Sequence, residues 1–159
     1  MFFHHLSFGE QFILWAIRKW YESFLGEYNA YDFLLNAFRL ARVPNALPAL
    51  DHFLTILVIS NETKIEIMPS DHHALSLDEC KILTALALLQ MGGQKKRVSI
   101  LFGQWLAPSG RRLGCNVGEI LSQELSSAGH HLDVQKLDTL NASSSNRMTE
   151  ANQPSITLN

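Results

Sequence analysis

One stretch limits the possible folds more than any other. Ser76 and Glu79 are spaced as a capping box, in which the hydroxyl accepts from the third helical N–H and the carboxylate reaches back to the cap N–H. From Leu77 to Met91 the residues Cys80, Ile82, Leu83, Leu86, Ala87, Leu88 and Leu89 leave little polar surface, and Gly92-Gly93 ends the run. A helix that is apolar around most of its circumference belongs at the centre of a core. The chain must therefore supply other elements to surround it.

Those elements are punctuated in the same way. Ser7 and Glu10 repeat the capping box ahead of a helix expected from Phe8 to Leu25, which stops before Gly26. Asn29 is a cap candidate for a second helix, about Ala30 to Arg42, with Asp32 in its first turn and Pro44 and Pro48 beyond its end. Asn116 and Glu119 resemble a third cap, for a last helix from Val117 to Ala128 closed by Gly129. Leu75/Cys80 and Cys115/Ile120 stand where hydrophobic staples form. Residues 96–106 leave helix and strand open, although length and spacing favour a helix stopped by Pro108-Ser109-Gly110. Residues 53–68 read differently. Phe53–Ile59 is a β-branched-rich apolar run, Lys64-Ile65-Glu66-Ile67 alternates, and Asn61-Glu62 between them is placed for a tight turn. Leu132 and Val134 read as a short final strand or strap. The expectation is a helix-rich α+β fold, about five helices packed with a small antiparallel β-hairpin over residues 53–68.

Composition divides the chain. Twelve of its 15 aromatic residues lie in the first 38 positions, whereas 11 of the 22 residues from 138 to 159 are Ser, Thr or Asn. The last segment cannot bury enough apolar surface to offset its ordering entropy, so residues 138–159 are expected as a disordered tail and 1–137 as one globular domain. No apolar run is long enough to span a membrane. Met1–Phe8 carries no Lys or Arg, and Glu10, Arg18 and Lys19 interrupt the apolar stretch, which argues against a secretory signal. Two cysteines cannot build a disulfide framework, so the expected compartment is the cytoplasm.

The chemistry-bearing residues give no active site. His4-His5, His72-His73 and His130-His131 are adjacent pairs, which point about 100° apart on a helix and to opposite faces on a strand, so a pair rarely gives one metal ion two ligands. No metal site, cofactor or catalytic residue is assigned, and an enzyme is not expected. Cys80 reads as a core residue; Cys115, near Arg111 and Arg112, reads as the more reactive thiol. Asp78 and Glu79 are accounted for by their cap.

Two asymmetries bear on function. Trp15, Arg18, Trp20 and Tyr21 cluster in the first helix, and aromatic residues with arginine are favoured at interface hot spots. The first reading is accordingly a non-enzymatic interaction or accessory module that binds a protein partner or forms a homodimer through its N-terminal helices. Between Glu79 and Glu119 no acidic residue occurs, while Lys95, Lys96, Arg97, Arg111 and Arg112 do. The runner-up reading is a nucleic-acid or anion-binding regulator using residues 95–112, against which stands a net charge of −2. A metal- or small-molecule-binding protein using His and Cys is third.

Overall fold

The computed structural model describes residues 2–26, 28–59, 63–137 and 139. A short 3-10 helix, Phe3–His5, leads into α1 (Phe8–Phe24), α2 (Tyr31–Leu40), α3 (Ala46–Ile59), α4 (Leu77–Met91), α5 (Lys95–Phe102) and α6 (Pro108–Ser127). Both capping boxes form, at Ser7–Glu10 and at Ser76–Glu79. Every residue of α4 from Ile82 to Leu89 is buried, and α1, α5 and α6 pack around it. The buried hydrophobic side chains form one cluster that extends from Leu6 to Leu137.

The expected α+β fold is wrong: the described residues contain no strand or sheet, and no hairpin occupies residues 53–68. Its first arm belongs to α3. That helix begins upstream at Ala46 and buries Leu47, Leu50, Phe53, Leu54 and Leu57 at helical spacing. Pro48 sits inside the first turn, where its missing N–H has no helical acceptor to lose. A short apolar run bounded by prolines thus concealed the second half of a buried helix. The second arm is extended but pairs with no strand. The Glu66 N–H donates to Asp78 Oδ2 at 2.9 Å and the Met68 N–H to Glu79 Oε1 at 3.1 Å, so carboxylates of the first turn of α4 take the place of a sheet ladder. The alternation nonetheless has a physical cause, since Ile65 is buried and Glu66 exposed. The proposed turn at Asn61-Glu62 lies outside the described residues, as does the expected tail over 138–159 apart from Thr139.

The last helix also departs from expectation, starting nine residues early. Pro108 opens it at a position where proline suits the first turn, and Asn116 and Glu119 fall in its interior instead of capping it. Gly110, read as part of a stop, lies inside this helix, and the glycines further along give it a narrow face. A Cβ added at Gly118 would lie 2.8 Å from Leu89 Cδ1 and 3.1 Å from Phe53 Cε2, so α3 and α4 approach the α6 backbone directly. One turn on, the Ser122 hydroxyl donates to the Leu86 carbonyl at 2.9 Å. Gly129, with φ +82°, closes α6, and the same pattern of turn bonds at the end of α2 places Arg42 at φ +63°. Leu132 follows as a strap, not a strand: its N–H donates to Gln90 Oε1 at 3.0 Å, and residues 134–137 turn helical.

Candidate functional site

The four aromatic and basic residues singled out in α1 do not share a surface. Trp15 turns toward α2, its ring edge-on to Phe33 at 5.5 Å. Tyr21 shares a small apolar recess with Trp20 and borders a further one with Val58, Lys64 and Ile65. Arg18 is 0% exposed and is engaged by the fold itself. Its Nε and Nη2 donate to the two oxygens of Glu79 at 2.8 and 2.9 Å, while Nη1 and Nη2 donate to the carbonyls of His72 and Ala74 at 2.5 and 2.8 Å. A fork of this kind satisfies the buried guanidinium and the carboxylate together. Arg18 presents no surface for a partner. Its role is to hold residues 63–76 against α1 and α4.

Of the four, Trp20 lines the cleft between α1, α2 and α3. It closes one wall together with Phe24, four residues on, the rings stacked at 5.5 Å and 7° from parallel. Leu34 and Tyr31 of α2 and Leu47 of α3 complete the apolar lining of a space of about 320 Å³. Its polar groups are few. Ser23 is occupied locally, its Oγ accepting the Ala30 N–H at 3.2 Å. Asp51 and, one turn further along α3, Thr55 border the opening. The Trp20 indole Nε1–H donates to Asp51 Oδ1 at 2.7 Å, which fixes the ring and the carboxylate relative to each other. The Trp20/Phe24 spacing is visible in the sequence as a helical i, i+4 pair, but Asp51 is 31 residues from Trp20 and nothing local marks it.

Glu22 lies on the side of α1 opposite Trp20 and Phe24. Burial alone would raise its carboxyl, but hydrogen bonds from the Ser70 N–H, Lys19 and Tyr28 outweigh that and hold it down at about 2. The Ser70 N–H contributes the shortest of these, 2.7 Å to Oε1.

The basic residues are divided. Lys95 pairs with Glu119 at 2.7 Å, at one end of α5. Arg111 lies at the other end, its Nε donating to the Leu106 carbonyl at 2.7 Å and its Cζ lying close to Gly103. Glu119 and Arg111 are eight residues apart on α6, hence about 12 Å along its axis. Lys96, Arg97 and Arg112 are exposed.

Neither thiol has the character of a nucleophile. Burial pushes Cys80 up to about 11, and burial also raises Cys115. The lowering expected from Arg111 and Arg112 is absent, since the charges felt at Cys115 are Lys95, which lowers it, and Glu119, which raises it. Among the described residues no three His, Cys, Asp or Glu side chains converge as metal ligands. Asp78 and Glu79 do more than cap α4, because they also accept from the extended segment and from Arg18. No described helix is long and apolar enough to cross a membrane. Comparison of the chain with protein families, with curated proteins and with solved structures finds no match.

Proposed function

We propose that this chain is a non-enzymatic interaction module that binds a protein partner, or a second copy of itself, across the aromatic surface of α1 and α2. The observation that carries this reading is the open cleft walled by Trp20, Phe24 and Tyr31. The surface around it supports the same reading. Phe24, Leu25 and Tyr31 are 47%, 57% and 57% exposed, and Phe24 and Tyr31 line the cleft itself. Large apolar side chains concentrated in this way mark surfaces that a partner covers, and aromatic residues are the side chains that contribute most at such centres. Arg18 is withdrawn from the proposed surface, and Phe24 and Tyr31 join it.

The test is a photoreactive amino acid placed at position 31, with position 123 on the exposed side of α6 as control. The expected result is an adduct from position 31, with another copy of the chain or with one defined protein, and sedimentation velocity distinguishes the two. Equal yields from 31 and 123 would sink the proposal. The anion-binding alternative has less support, since Lys95 and Arg111 are each engaged within the chain. Retention of a DNA duplex or an RNA at low salt, lost on Lys96→Glu and Arg112→Glu together, would revive it.

A further inference from the structure

We infer that the cleft between α1, α2 and α3 receives an arginine side chain presented by the partner. This rests on the interaction reading above and names the chemistry the partner must carry.

The cleft joins two features that attract the same kind of group. Trp20 and Phe24 line the cleft with aromatic rings that stack on each other, and the outward face of such a ring carries the negative lobe of its quadrupole, which favours a cation lying over it. Asp51 adds a full negative charge at the same opening and is the charged residue of the lining. Among the described residues no lysine or arginine pairs with Asp51, whose hydrogen bond to the Trp20 indole uses one carboxylate oxygen. The second oxygen, and a further lone pair on the first, are left to accept. An anionic ligand is repelled at this site. A wholly apolar one would draw the Asp51 carboxylate out of water with nothing to replace its hydration.

Guanidinium fits better than ammonium. It is planar, stacks on indole and phenyl faces, and presents parallel N–H groups to a carboxylate, whereas the lysine head is a strongly hydrated point charge. The arrangement asks for stacking and forked hydrogen bonding together, since ring and carboxylate are held in contact by the 2.7 Å bond. Leu34 and Leu47 supply apolar contact for the methylene stem and for a flanking residue. A space of about 320 Å³ is at the small end of ligand clefts, the scale of a side chain with its neighbour.

The experiment is an NMR titration of the ¹⁵N-labelled full chain, read at the Trp20 indole N–H and compared with those of Trp15 and Trp105. The probes are the peptide acetyl-Gly-Leu-Arg-Leu-Gly-amide and two analogues, with lysine or with neutral citrulline in place of arginine. Saturable movement of the Trp20 signal by the arginine peptide is expected, with binding about tenfold weaker for citrulline. Asp51→Asn, an exposed substitution that keeps an acceptor for the indole, should reduce that preference to about two- to threefold, which the rings alone supply, while leaving the thermal midpoint in place. Equal affinity for the arginine and citrulline peptides overturns the inference, as does equal affinity for the lysine peptide. No movement of Trp20 at millimolar peptide also overturns it. If the adduct from position 31 persists in any of these cases, the interaction reading stands without the arginine; if that adduct is absent too, both fall.

Discussion

The extended segment over residues 63–76 and the helix α6 both lie against α4, and opposite means hold them there. The extended segment is bound through its backbone by charged and polar side chains. Asp78 and Glu79 accept two of its N–H groups, Glu22 a third, and Arg18 donates to two of its carbonyls. On α6 the contacts are apolar and close, with Gly114 against the Phe102 ring and Gly118 against Leu89 and Phe53. A chain without a ladder or helix of its own still has to satisfy its buried backbone groups, and here neighbouring side chains do it. A helix satisfies its own backbone, so what remains is fit. The first region should fail through electrostatics and the second through volume.

The largest effect is expected from Arg18→Met. It leaves the Glu79 carboxylate buried without its cation and the carbonyls of His72 and Ala74 without donors, for a loss of about 3–5 kcal/mol. Urea unfolding measures this, and limited proteolysis should find new cleavage between residues 63 and 76. Arg18→Met combined with Glu79→Leu should lose less than the two single changes summed, because no unpaired charge remains. Strict additivity would contradict the electrostatic account of this region.

Gly118→Ala tests the other side. The added methyl meets Leu89 Cδ1 at 2.8 Å and the Phe53 ring at 3.1 Å, and overpacking should outweigh the better helix propensity of alanine by about 1–2 kcal/mol. The loss should be independent of pH and salt. A stabilised variant would show that α6 has room to move, and the comparison would break.

Glu22→Gln refines the electrostatic half. The carboxyl titrates at about 2 in the folded chain against 4.5 ordinarily, so its contribution is present above 4.5 and fades as the pH falls towards 2. The variant should be less stable than the parent by about 1 kcal/mol at neutral pH. Thermal midpoints of the two should converge near pH 2, and a gap that persists there would refute the assignment. Arg42→Gly lies outside both regions and serves as the control. Relieving its left-handed backbone should stabilise the chain by about 0.5–1 kcal/mol and leave the protease pattern of 63–76 unchanged.

The helices that could be read were those whose signals are local. Ser7 with Glu10 and Ser76 with Glu79 announced α1 and α4 within four residues, because a capping box is satisfied by atoms of the same turn. The all-round burial of α4 was legible for a related reason: Ile82 to Leu89 offer almost no residue that could face water. Readings failed where local chemistry had a second solution. Pro48 reads as an end but is equally suited to a first turn, and Gly110 reads as part of a stop, whereas it lies inside α6 with Gly114 and Gly118, which give that helix a face for close packing. Lys64 to Ile67 alternates as a strand does, since an extended backbone lying on a core alternates whether or not a second strand exists.

The proposed site divides along the same line. Trp20 and Phe24 share a helix face by spacing alone, but Arg18, between Trp15 and Trp20 in sequence, faces inward to a carboxylate 61 residues away. Cys115 was judged by neighbours in sequence, whereas the charges that reach it are Lys95 and Glu119.

By itself the sequence determined where α1 and α4 begin, that α4 would be the buried centre, and that the front of the chain carries the aromatic surface. These follow from short-range rules: caps, periodicity and the shortage of polar residues in α4. Only the tertiary structure decided which acceptors receive the backbone of 63–76, which glycines face a neighbouring helix, and that Asp51 stands beside Trp20. Each of those depends on a group brought in from far along the chain, and a buried hydrogen bond or a close contact is fixed by position in space, with no local pattern to record it.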